Sequence, residues 1–134
     1  MLINIIKLLL PVFLMVSCRA SVPTTNAVDT IEFGYGGGFS GLYKYHVIDL
    51  RQHTIMKSGG ESRRLNKKEI RTLHKELGKE NFLSVSLDRP HNMSTYIQLK
   101  GEVSNRITWG DPSAEVPEEV ENLYNFLVSL TDIL

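Results

Sequence analysis

A chain of 134 residues with 15 basic and 15 acidic side chains has no formal net charge at pH 7, which argues against nucleic acid or a strongly charged substrate as partner. That length suits one domain and leaves too little for two. With a single cysteine there is no disulfide framework within the chain, so the core must suffice alone.

In chain order, the first element is an address. Residues 1–16 contain only Asn4 and Lys7 as polar residues, and Leu8 to Val16 is an uncharged apolar run of signal-peptide length. It is too short to span a bilayer, which takes about 20 apolar residues. It ends in Leu14-Met15-Val16-Ser17-Cys18, which resembles a bacterial lipobox, with Met15 where Leu is usual. In that motif the cysteine thiol takes a diacylglycerol and the peptide is cut just before it. Residues 1–17 are therefore expected to be a lipoprotein signal peptide, 18–28 the lipidated Cys18 and its tether, and 29–134 a single domain. A cut after Ala20, which would discard Cys18, and a retained membrane anchor are the competing readings. Each buried acyl CH₂ contributes about 0.8 kcal/mol, so the lipid alone holds the domain on a membrane. The residues after Cys18 lack an acidic cluster resembling a surface-export signal. The expected location is therefore the cell envelope, at an outer membrane and facing the periplasm.

Tyr43, Tyr45 and Val47 alternate with Lys44, His46 and Ile48, a period of two that predicts a strand, and Thr54 to Lys57 supplies its hairpin partner. Asn66 as N-cap with Glu69 three residues on forms a capping box, with Leu65 placed to staple against Ile70. Ile70, Leu73 and Leu77 then share one stripe, and Gly78 suits a left-handed stop, so a helix is predicted over 67–77. Phe82, Leu83, Val85 and Leu87 read as a short extended segment ending at Asp88-Arg89-Pro90. A second hairpin is predicted from Ser94–Lys100 and Ser104–Trp109. For Ile97 and Leu99 to share a face with Asn105, Ile107 and Trp109, its loop needs an odd count of residues. Pro117 suits the first position of a last helix, whose Glu118, Glu119 and Glu121 complement the positive end of its dipole. Val120, Leu123, Leu127, Leu130 and Leu134 form its buried stripe, widened by Tyr124 and Phe126. Hairpins with two separate helices predict an α+β two-layer sandwich, an antiparallel sheet with both helices on one face and the other face open.

The stretch Ile31-Glu32-Phe33-Gly34-Tyr35-Gly36-Gly37-Gly38-Phe39-Ser40-Gly41, followed by a tyrosine-rich strand, resembles a segment of lipoproteins of Bacteroidota with no assigned activity. Pro90-His91-Asn92-Met93 and Ile107-Thr108-Trp109-Gly110 look like further pieces of that pattern, which covers about residues 30 to 130. This family usually has Thr where Ser40 stands and a glycine-containing turn where Leu50-Arg51-Gln52 stands. The resemblance implies an envelope lipoprotein and carries no functional residue with it.

Gly36, Gly38 and Gly41 satisfy the spacing of a phosphate-cradling loop, but such loops lead into a helix, whereas a strand is predicted next. The favoured reading of the glycines is backbone geometry. The candidate site is a binding loop of Tyr35, Gly36, Gly37, Gly38, Phe39 and Ser40, with Tyr35 and Phe39 as anchors. Ser40 reads as a turn hydroxyl, since a nucleophile elbow would need glycine in place of Leu42. His91 and Asn92, in the loop after Pro90, and Trp109, as an aromatic anchor or a cap on the core, are weaker candidates. No histidine pair has zinc-binding spacing, so neither a metal nor a cofactor is expected, nor any catalytic residue. Arg63, Arg64, Lys67, Lys68 and Arg71 interleave with Glu61, Glu69 and Glu76 and read as a solvated face. The sequence thus predicts a lipid-anchored binding domain for an envelope protein or small ligand. An envelope hydrolase using His and Asp near the glycines, and an inhibitor-like module, are the alternatives.

Overall fold

A computed structural model describes residues 27–132. The leader, Cys18, most of the tether and Leu134 lie outside the described residues. The predicted α+β architecture is present: a seven-stranded, mostly antiparallel sheet with two helices packed on it. The strands are β1 (Val28–Gly37), β2 (Leu42–Asp49), β3 (Thr54–Lys57), β4 (Ser62–Arg64), β5 (Asp88–Arg89), β6 (Met93–Gly101) and β7 (Asn105–Trp109). Their spatial order is β4-β3-β2-β1-β6-β7-β5, and only β5 with β7 is parallel.

Period two assigns the two faces. Ile31 and Phe33 of β1 pair across to Ile48 and His46 of β2 and to Leu99 and Ile97 of β6, with Ile55 and Ile107 on the same side. These side chains meet Leu73 and Leu77 of α1 (Lys67–Leu77) and Val120, Leu123 and Leu127 of α2 (Glu118–Ser129) in one core. Tyr43, Tyr45, Val47, Tyr96, Gln98 and Arg106 take the opposite face, which neither α1 nor α2 covers.

The capping box of α1 forms as expected. Asn66 Oδ1 accepts from Glu69 N at 2.9 Å, and Glu69 Oε2 accepts from Asn66 N at 2.8 Å. The second hairpin keeps the expected facing, with Ile97↔Ile107 and Leu99↔Asn105.

Four details differ from the sequence reading, each for a local reason. Gly78 stays right-handed at φ −83°, ψ −11°, because its N–H still bonds back to His74 O. Phe82 to Ser84 forms a turn closed by Asn81 O, and the strand pairing falls on Asp88 and Arg89, just past the segment expected to be extended. Asn105 explains that irregular approach, since its amide donates to the carbonyls of Phe82 and Val85, both at 2.8 Å. Pro117 is the N-cap residue of α2, one position earlier than read, with its carbonyl accepting from Val120 N and Glu121 N. Arg63 is not part of a solvated face: it pairs with Glu69 and donates to Leu130 O.

The largest difference concerns the glycines. Phe33 to Gly37 is no loop but the second half of β1, hydrogen-bonded on both sides to β2 and β6 in the middle of the sheet. Gly38–Ser40 forms one 3-10 turn, Gly41 closes it in the left-handed region at φ 62°, and β2 follows at once. The phosphate-loop geometry is therefore replaced by a hairpin tip.

Candidate functional site

The hairpin tip scatters the sequence-derived candidates. Gly36 and Gly37 are strand backbone. Gly38 N donates to Asn92 O, tying the tip to the entry of β6. Ser40 Oγ lies 3.4 Å from Leu42 N and 3.5 Å from Gly37 O, the turn role expected of it. Phe39 is fully exposed at the tip, with Leu42 and Met93 also largely exposed beside it. His91 and Asn92 serve backbone geometry: Ser94 Oγ bridges the N–H and C=O of His91 at 3.0 and 3.1 Å. Trp109 packs edge-on against Tyr124, ring centroids 5.4 Å apart.

Tyr35 alone of these lines a cleft, and the rest of that cleft comes from residues outside this candidate set. Between the sheet and the outer side of α2 a hollow of about 370 Å³ opens, walled by Phe33, Tyr35, His46, Tyr124 and Val128, with Lys44 and Lys57 on its lining. The aromatic wall is continuous from Trp109 through Tyr124 to Phe33, whose ring meets Tyr124 edge-on at 6.4 Å and stacks on His46 at 5.5 Å. The volume lies within the range typical of small-molecule sites.

Strand register explains its charge. Lys44 and His46 are two apart on β2 and so share a face, while Lys57 is the direct cross-strand partner of His46. Three basic side chains therefore gather on the helix-side face. The signal was present in the sequence: Lys44 and His46 occupy the same phase of β2 as buried Ile48, where apolar residues would continue an ordinary core strand.

Burial, followed by the nearby Lys57 ammonium, lowers the pKa of His46 below its usual 6.5. A base tuned for catalysis normally has a carboxylate behind it; a lysine neighbour makes this imidazole a weaker base. Burial and then Tyr35 push the Tyr124 phenol up. Because the folded pKa of His46 is depressed, the unfolded chain binds more protons between the two values, so this residue's stabilising contribution is present above the unfolded pKa and is lost as pH falls through the folded one. Histidine-resolved NMR titration is expected to show His46 titrating below 6.5, with thermal stability falling across that same window in wild type and not in His46→Gln. A His46 midpoint above 6.5 would contradict this account.

The opposite face carries a second polar arrangement. The Tyr96 ring is only 2% exposed although neither α1 nor α2 covers it. Arg106 lies 4.0 Å over it, Tyr43 packs edge-on at 5.8 Å, and its hydroxyl donates to Glu32 Oε1 at 2.8 Å. Burial disfavours the Glu32 charge, but hydrogen bonds from Lys100 and Tyr96 outweigh it and hold the carboxyl below its ordinary value. This closed network fixes the face rather than presenting a free group.

Among the described residues, no helix is long and apolar enough to cross a membrane, and no group of three or more His, Cys, Asp and Glu side chains gathers as a metal site would require. In comparison with known proteins, the chain matches no family model and no curated protein.

Proposed function

We propose that this protein is a lipid-anchored domain of the cell envelope that binds a ligand or partner without transforming it. The anchor reading rests on the apolar run ending at Ser17-Cys18 and on the likeness of the glycine segment to Bacteroidota lipoproteins. The binding reading rests above all on one observation: the cleft beside α2 joins an aromatic wall to three basic side chains, and its histidine has a lysine, not a carboxylate, as neighbour.

Chain direction supports both readings together. The tether reaches the sheet at Val28, and β1 then runs ten residues, roughly 33 Å, to the glycine tip. Tyr35, Phe39 and the cleft thus belong to the end of the sheet farther from the attachment point, where a tethered domain would meet a ligand.

The test is metabolic labelling with radioactive palmitate in expressing cells, followed by detergent-phase partition. Wild type is expected to take up label and enter the detergent phase, and Cys18→Ser to do neither. Unlabelled wild type, or a product beginning at Met1 in the cytosol, would overturn the anchor reading.

A further inference from the structure

We infer that the cleft between the sheet and α2 receives a small aromatic monocarboxylate, its ring against Tyr35, Tyr124 and Val128 and its carboxylate between Lys44 and Lys57. The inference rests on the non-catalytic binding reading above and deepens it to a ligand class. Three features of the cleft carry it.

The first is charge. Lys44, His46 and Lys57 lie side by side on one sheet face through register alone, and no acidic residue is among the lining side chains described. Lys57 is directly across from His46 and Lys44 is two residues along the same strand face, so the two ammonium groups crowd like charge around one imidazole. Lys57 has an ion-pair partner in Glu61, but at 3.7 Å and with both side chains about half exposed or more, so solvent screens most of it. A bound anion would offset the repulsion between these basic side chains. It would also favour the protonated form of His46, which burial and Lys57 now disfavour.

The second is the wall. Phe33 is buried behind the wall and holds both His46 and Tyr124, so an arriving ring meets side chains already fixed, with little freedom left to lose. Val128, on the outer side of α2, closes the apolar part. The third is size: about 370 Å³ holds a single ring with a short acidic chain, and does not hold a folded partner.

The test uses the protein as purified from expressing cells and two probes of one skeleton, 4-phenylbutyrate and 4-phenylbutylamine. Both are water-soluble, and only the sign of the charge differs. NMR titration is expected to show 4-phenylbutyrate shifting Tyr35, His46, Tyr124 and Val128, raising the His46 midpoint, and binding at least roughly tenfold tighter than the amine. Lys44→Gln with Lys57→Gln is expected to remove that preference, since both positions are exposed and the fold does not depend on them. Val128→Trp, which fills the cleft from the helix surface, is expected to abolish binding of both probes while leaving the melting curve in place. The inference is overturned if the amine binds as well as the acid, if the double glutamine variant keeps the preference, or if 4-phenylbutyrate shifts none of these residues at about 1 mM. These results are independent of the palmitate experiment. An unlabelled protein that binds the acid would remove the anchor and keep the cleft, and a labelled protein indifferent to charge would do the reverse.

Discussion

Gly34→Ala is expected to destabilise the domain by about 3 kcal/mol or more, a large share of the roughly 5–15 kcal/mol that keeps a small domain folded. Gly34 lies in the middle of β1, facing Tyr45 of β2 on one side and Tyr96 of β6 on the other. A Cβ at this position would stand 2.1 Å from Lys44 O and 2.8 Å from the Tyr45 Cα. Both obstacles are backbone, so no rotamer change can make room, and β2 cannot move away without breaking its ladder to β1. Gly36 has the same constraint, with Leu42 O at 2.2 Å. The natural control is Gly59→Ala, where an added Cβ meets nothing within 4 Å and the expected change is within about 0.5 kcal/mol. Urea midpoints for the two variants check this directly, and a Gly34→Ala protein as stable as Gly59→Ala would refute the close-approach account.

That constraint also explains what the sequence concealed. Glycine is depleted in strands and marks turns, so Phe33-Gly34-Tyr35-Gly36-Gly37 reads as a loop by local propensity. In the structure the same glycines let β1 and β2 come unusually close, and the Tyr96 and Tyr43 rings cover the surface they leave bare. Tertiary packing overrode propensity there, and with it went the assignment of the candidate site. Elements whose signals are local were legible: the Asn66–Glu69 capping box, the α2 stripe, and the facing of Ile97 with Ile107 all follow from spacing within a few residues. The cleft was not legible because its members come from β1, β2, β3 and α2, and only the register of β2 against β3 puts Lys57 beside His46. Polar residues standing in the inward phase of β2 were the one available clue.

Arg63 was hidden in the same way, inside a run of basic residues that reads as solvated, and its replacement by methionine is expected to cost about 2–3 kcal/mol. Pairing with Ile55 turns Arg63 toward the helix layer. Its guanidinium donates to both carboxylate oxygens of Glu69, at 2.9 and 3.1 Å, and to Leu130 O at 2.7 Å. Glu69 is also the reciprocal member of the α1 capping box, and Leu130 caps an α2 whose last turn has no basic residue of its own. One side chain thus joins the edge strand β4 to the start of one helix and the end of the other, satisfying a terminal carbonyl and complementing the dipole there. The pair is mostly buried, with side-chain exposures of 19% and 14%, so removing the cation leaves Glu69 poorly solvated. Lysine cannot replace it, because one ammonium lacks the planar fork that serves two oxygens and a carbonyl together. The pH dependence separates this from a simple packing loss. The Arg63 hydrogen bond holds the Glu69 pKa below its ordinary value, so the stabilisation is complete above the unfolded carboxyl pKa and is lost as pH falls through the lower folded value. The stability gap between wild type and Arg63→Met is therefore expected to be widest near about pH 7 and to shrink toward about pH 3. Glu69→Gln is expected to weaken wild type more than it weakens Arg63→Met, since the charge it removes is already unpaired in the latter. A gap that stays constant with pH would mean that Arg63 acts through its aliphatic stem and not through the ion pair.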